Sequence, residues 1–286
     1  MEAKLEKRVV GFPKKIVKRI QNEIIPHWVR SFPPEPTYCN KKYGVPSLIV
    51  RIDGTFSGKK FFYFEVEERP TGLGWLVSLD GEASQKLKEL QKVWPPIAIA
   101  TDNQNPPDDH LWLGSEIYHY EIARTRLAGR RWIVRAEPYE KRMKIFQKYA
   151  ISPVVEKGNK KYGESFGWWV AAEEIGNWEK MLKKGVVLKP KQGSKGKGII
   201  IFLPEERKTR LETKLKKIER LDLRGYYVQR FCPPSKKEGE YFLYELFFGF
   251  HPFEGWEFLG GLWVARKHLI ITHWVPRIKV GKLEIE

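Results

Sequence analysis

The sequence predicts an α+β fold that includes a small parallel α/β lobe. Three observations carry this. Two runs rich in β-branched and aromatic residues, 46–53 (PSLIVRID) and 61–67 (FFYFEVE), flank the segment GTFSGKK and read as an antiparallel strand pair. Residues 95–138 read as strand, loop, helix and strand, with Gly129 as the helix C-cap, which implies a parallel sheet. A second hairpin is written in VVLKPKQGSKGKGIIIF, with strands at 185–190 and 199–203 around a glycine-rich tip.

The remaining elements follow in order. Residues 13–25 form a basic amphipathic helix with Ile16, Ile20 and Ile24 on one stripe, stopped by Pro26. A Pro-rich loop leads into the first strand pair. Helices are expected at 81–93, 139–150 and 204–221, the last with Leu211, Leu215 and Ile218 inward. Strands at 225–231, 240–250 and 256–266 finish the fold. Four segments result: 1–94 with the acidic strand pair, 95–138 as the parallel lobe, 139–225 as the glycine-loop lobe, and 226–286 as a hinge strand with the rest of the core.

Composition narrows the function classes. The chain has 286 residues, long enough for a substantial core, and 42% of them are hydrophobic, which argues against disorder. Cys39 and Cys232 form no CxxC and no disulfide framework. No apolar run is long enough to span a bilayer and the charged start MEAKLEKRVV has no apolar h-region, so a cytoplasmic protein is expected. The six histidines show no HExxH spacing and there is no GxSxG, so neither a zinc protease nor a serine hydrolase has an anchor. The formal net charge is +17, which favours anionic partners. Between Glu179 and Arg224, fifteen Lys/Arg face six Asp/Glu, so +9 of that excess surrounds the glycine-rich hairpin.

The hairpin tip suits phosphate. Gly193, Ser194, Gly196 and Gly198, preceded by Gln192, let the backbone approach a ligand and turn N–H groups toward it. Lys189, at the end of the incoming strand, can reach an α- or β-phosphate. A strand follows the glycines and GK[ST] is absent, so this is no P-loop. The alternative is a solvated hairpin whose lysines face water. Gln229, Arg230 and Phe231 in GYYVQRF run into the stop CPP, as a linker between two lobes would. An ordinary strand is the other reading of that segment.

Arg51 and Asp53 share one face of their strand, and Glu65 and Glu67 share one face of the next. Pairing the strands gathers three carboxylates and a guanidinium. Hard oxygens of this kind suit Mg²⁺ beside phosphates, and the arginine suits charge on a transferring phosphoryl group. A solvated strand face with a surface ion pair is the alternative.

These residues resemble the ATP-grasp ligases, and within them the circularly permuted, glutathionylspermidine synthase-like group. Arg51, Asp53, Glu65 and Glu67 are similar to that group's R-x-D and E-x-N pattern at the same 2–12–2 spacing, with Glu67 where the family has Asn. Pro70-Thr71, VVLKPKQGSKGKGI, YYVQRF and GGLWVARKHLIIT resemble further family segments in the family's order. The resemblance implies two α+β lobes clasping ATP, with the acidic metal residues ahead of the phosphate loop. It also implies ATP and Mg²⁺ as cofactors and a reaction joining a small-molecule or peptide carboxylate to an amine. The implied sites are Asp53, Glu65 and Glu67 for metal, Arg51 and Arg266 for catalysis, and Lys189, the glycine loop, Gln229, Arg230 and Phe231 for ATP. Lys141 or Lys144 would be the second nucleotide lysine. No membrane partner is expected, and the oligomeric state stays open. Two other readings compete: a nucleic-acid-binding protein on a degenerate scaffold of this kind, resting on charge and aromatics, and an ATP-dependent phosphotransferase.

Overall fold

The computed structural model describes residues 4–31, 43–45, 48–67, 72–94, 97–101, 116–119, 132–135, 165–166, 169–172, 175, 178, 182, 185–190, 198–204, 208–267 and 278–286. They form a mixed α+β structure with three sheets.

The chain enters on β1 (Lys4–Phe12), then a helix in three parts: α1 (Lys14–Arg19), a π-helical segment (Ile20–Ile24) and α2 (Ile25–Ser31). Ile16, Ile20 and Ile24 are all buried, so the expected stripe is the packing face. The helix does not stop at Pro26. Proline lacks the N–H an α-helix needs and crowds the carbonyl four residues back. Here the Ile25 N–H bonds the Ile20 carbonyl, and this wider π-turn carries the helix past the proline.

Strands β2 (Ile49–Ser57) and β3 (Lys60–Glu67) are antiparallel. Most of the segment read as a turn is strand, and the chain reverses only at Gly58-Lys59, where Gly58 takes a φ of 59°. A bulge between Asp53 and Gly54 shifts the register. Helices α3 (Leu73–Leu79) and α4 (Gly81–Val93) follow. Asp80 caps α4 by accepting from the N–H groups of Glu82 and Ala83 at 3.1 and 3.3 Å.

Next come β4 (Ile97–Thr101), β5 (Glu116–His119) and β6 (Trp132–Arg135), a parallel sheet in the order β5-β4-β6. The parallel pairing is therefore present, and residues 116–119, inside the stretch expected to be helix, are a strand. Ile117 and Tyr118 are residue types that strands favour. The expected helix at 139–150 lies outside the described residues.

The second half contains β7 (Ser165–Phe166), β8 (Trp169–Ala171), β9 (Val186–Pro190), β10 (Ile200–Phe202), α5 (Lys208–Glu219) and β11 (Tyr226–Arg230). It ends with β12 (Lys236–Lys237), β13 (Glu240–His251), β14 (Gly255–Arg266) and β15 (Lys279–Ile285). β9 and β10 pair as the expected hairpin, in a sheet ordered β10-β9-β11-β8. β11 belongs to this sheet, just past the boundary drawn at 225.

The large sheet runs β1-β15-β14-β13-β2-β3-β7, with β12 on β13. Both β1 and β15 went unread in the sequence. They pair in parallel and close the sheet with the two ends of the described chain, as Lys14 N–H donates to Glu286 O at 2.7 Å and Glu286 N–H to Phe12 O at 3.0 Å. The helix at 14–31 and helices α3 and α4 pack with this sheet in one core. A second, smaller core gathers Val186, Leu188, Phe202, Ile218 and Val228 around the other sheet.

Candidate active site

Arg51 and Asp53 lie on β2, two residues apart on one face. Ile52 on the opposite face is buried, yet Arg51 is only 2% exposed and Asp53 6%. β2 is thus buried on both sides, and these two residues are no solvated strand face. Their geometry is a fork: Arg51 Nε donates to Asp53 Oδ1 at 2.6 Å and a terminal nitrogen to Oδ2 at 2.8 Å. Bidentate pairing of this kind fixes the guanidinium plane.

The neighbouring strand adds a residue the sequence reading missed. Glu245, in β13, is directly opposite Asp53 and 0% exposed. Its Oε1 lies 4.0 Å from Arg51 Nη1, an ion-pair distance beyond hydrogen-bonding range. A signal was present in the sequence: Glu245 is the lone charge in FLYELFFGF, and a charge inside such a run is informative because carboxylates are seldom fully buried.

Register extends the row. On the far side of β2, Glu65 is opposite Asp53 and Glu67 opposite Arg51, so Glu245, Asp53 and Glu65 occupy facing positions on three adjacent strands. On β14, Leu262 is opposite Glu245. Arg266 follows four residues later and so belongs to the same face. It is 2% exposed, and burial pulls its pKa down to about 9.

Helices α3 and α4 position this face by covering its other end. A Cβ on Gly260 would meet Leu76 at 3.0 Å and Ala83 at 3.2 Å, and one on Gly249 would meet Leu90 at 2.3 Å. The helices can approach because these strand positions lack side chains. Lys282, opposite Leu262, donates from Nζ to Asp80 Oδ1 at 3.0 Å, tying the α4 cap to the sheet.

The predicted nucleotide residues that are described lie on the second sheet. Lys189 on β9 is opposite Tyr227, and Gln229 on β11 is opposite both Val187 and Trp169. Gln229 is 2% exposed, and its side-chain Nε2 meets no hydrogen-bond partner among the described residues. Arg230 is opposite Val186, and Phe231 N–H donates to Gly185 O at 3.0 Å. Gly198 holds a φ of 77° where the chain leaves the glycine tip, a conformation that favours glycine. Gln192, Gly193, Ser194, Gly196, Lys141 and Lys144 lie outside the described residues.

A short linker joins the two sheets beside the charged row. Ser235 N–H donates to Thr55 Oγ1 at 3.4 Å, and Thr55 Oγ1 donates to Phe242 O at 2.7 Å. Thr55 is two residues from Asp53. Ser235 comes six positions after Gln229, so their Cα atoms are at most about 21 Å apart.

Two described carboxylates, Asp53 and Glu245, face each other with a third position, Glu65, in register. Hard-oxygen donors in that number fit Mg²⁺, which takes one or two carboxylates and completes its shell with phosphate and water. Among the described residues no group of three or more His, Cys, Asp or Glu is gathered for a metal. His251 is structural: its Nδ1 accepts from the N–H groups of Phe253 and Glu254 at 3.4 and 3.2 Å. Among the described residues, no helix is long and apolar enough to cross a membrane.

No protein-family model and no curated protein matches this chain. Among solved structures, it is similar to a chain described as a candidate gamma-glutamylcysteine synthetase from Methylobacillus flagellatus KT, at 10% identity and a TM-score of 0.47. The match covers 90% of this chain and 82% of the other. A likeness this slight does not bear on the chemistry of the site.

Proposed function

We propose that the protein is an ATP- and Mg²⁺-dependent carboxylate–amine ligase of the permuted ATP-grasp kind. The observation that carries the reading is the buried charged face: Arg51 forked onto Asp53, Glu245 opposite, and Arg266 on the same side. Isolated buried charges cost several kcal/mol each after relaxation, so four on one face point to charge chemistry.

In this reading a substrate carboxylate oxygen attacks the terminal phosphorus of ATP and ADP leaves. An amine then attacks the acyl carbon, the C–O bond to phosphate breaks, and the nitrogen gives up a proton. Arg51 and Arg266 stabilise charge on the transferring phosphoryl group and the acyl-phosphate. Lys189 and the loop of Gln192, Gly193, Ser194, Gly196 and Gly198 hold the phosphates. Gln229, Arg230, Phe231 and Lys141 hold the rest of the nucleotide. Asp53, Glu65 and Glu67 would hold Mg²⁺, which neutralises phosphate charge when bound.

The test is phosphate release from ATP by the purified chain with pools of carboxylates and amines. A ligase requires both pools and yields ADP, phosphate and an amide. Phosphoryl transfer to a single acceptor without phosphate release would make the protein a phosphotransferase instead. A specific observation keeps nucleic acid as the second reading: Lys216, Lys217 and Arg220 on and just after α5 are all exposed within the +9 segment. That reading requires steeply salt-dependent binding to RNA or DNA and no ATP turnover.

A further inference from the structure

Three strands meet at one buried point on the large sheet. Pairing of β2 with β13 ends at Gly54 and Tyr244, and pairing of β12 with β13 reaches Lys236 and Tyr241. Phe242 lies in the gap between the two ladders, and its main-chain groups still need partners. Its N–H donates to Ser235 O at 2.9 Å, and its carbonyl oxygen accepts from Thr55 Oγ1 at 2.7 Å. The same Thr55 oxygen accepts the Ser235 N–H at 3.4 Å, which closes a ring of three hydrogen bonds. Thr55 is 0% exposed. A hydroxyl gives and takes at one atom. Valine, of nearly the same shape, does neither.

The ring grips one end of a short strut. At the other end, Phe231 N–H donates to Gly185 O at 3.0 Å, just ahead of β9 in the smaller sheet. Ser235 comes four positions after Phe231, behind Pro233 and Pro234, whose rings fix φ and stiffen the spacer. The two Cα atoms are therefore at most about 14 Å apart. A strut this short passes on the orientation its ends are given. The bond to Phe242 alone would leave Ser235 a pivot on β13. The bond to Thr55, on a different strand, removes the rotation. Thr55 stands two residues beyond Asp53, so the strand that carries the charged fork also orients the smaller sheet. We infer that Thr55 is a positioning residue: it fixes the sheet that carries Lys189 against the sheet that carries Arg51 and Asp53, so that both address one ligand. The consequence for ligand binding rests on the reading of the two sheets as one nucleotide site, whereas the orientation of the sheets does not.

The experiment reads orientation and binding on the full chain. Nitroxides attached through a keto amino acid at exposed Lys92, on α4, and exposed Lys217, on α5, report the distance between the sheets by double electron–electron resonance. Calorimetric titration with the non-hydrolysable ATP analogue adenylyl imidodiphosphate and MgCl₂ reports binding. The parent should give one narrow distance distribution. Thr55→Val should broaden it or add a second population. It should also weaken the analogue about tenfold, the loss expected when the oriented arrangement falls to about a tenth of the molecules. Thr55→Ser should restore both readings. Ser235→Pro deletes the N–H given to Thr55 and should broaden the distribution likewise, and it carries the test if the valine variant does not fold. A folded variant whose distances match the parent's would overturn the inference, whatever its melting temperature, because a merely local role moves stability alone. A broadened distribution with unchanged affinity would overturn the link to the ligand. Absence of analogue binding by the parent would overturn the nucleotide reading and leave the distances to decide on Thr55.

Discussion

Arg51 stands between two carboxylates on two strands, Asp53 hydrogen-bonded at 2.6 Å and Glu245 at an ion-pair distance of 4.0 Å. Removing it takes a buried guanidinium away from both. Arg51→Ala should therefore cost about 3–5 kcal/mol of unfolding free energy, measured by denaturant titration, because uncompensated buried charge is what breaking such a cluster leaves. Arg266 behaves differently. Its depressed pKa, about 9, comes from burial alone. A base held below its ordinary value in the folded state penalises folding fully below pH 9, and the penalty is relieved as pH rises above 9. Arg266→Met should accordingly leave the apo protein unchanged or up to roughly 2 kcal/mol more stable at pH 7. The parent should gain on the variant as pH climbs above 9, as read by paired thermal melts, while nucleotide-induced stabilisation is lost in the variant.

At the scale of elements, the site depends on a bulge. Gly54 follows Asp53 where β2 and β3 change register, and a Cβ there would fall 2.4 Å from the Phe61 ring and 2.6 Å from the Phe62 carbonyl oxygen. Bulges re-aim neighbouring side chains, and this one lies directly beside Asp53. Gly54→Ala should destabilise by about 1–3 kcal/mol, because the ring can swing but the carbonyl cannot. It should also weaken nucleotide binding more than an equally destabilising change in the smaller core, such as Ile218→Val. The π-turn at Ile20–Ile24 belongs to the same scale. Sequence rules end a helix at proline, and only the packing of Ile16, Ile20, Ile24 and Ile25 on the sheet keeps this one going.

Across the whole molecule, the charged face sits on a sheet assembled from distant segments, with β2 and β3 from residues 49–67 and β13 and β14 from 240–266. The glycine hairpin, between them in sequence, lies in a separate sheet tethered by the linker through Ser235 and Thr55. Arg51 and Asp53 are 2% and 6% exposed, so on the proposed reading nucleotide contact with them requires a rearrangement of the chain. Association of a fluorescent ATP analogue should then be slower than about 10⁶ M⁻¹s⁻¹ and should saturate with ligand concentration in stopped flow. A rate that stays linear and faster would mean that the site is open at rest.

Much of this was legible without coordinates, for local reasons. Alternation along 49–53 and 61–67 put Arg51 with Asp53 and Glu65 with Glu67, since a strand's period of two needs no partner to be read. The hairpin at 186–202, the parallel strands β4 and β6 and helix α4 were equally local. What the tertiary structure decided was environment and company. Nothing near Arg51 in sequence says that both faces of β2 are covered, because that depends on helices at 14–31 and 73–93 closing over a sheet whose edge is made by the chain's two ends. Nothing near Asp53 points to Glu245, because a cross-strand neighbour is fixed by register, and register between strands some 190 residues apart is a property of the folded sheet alone.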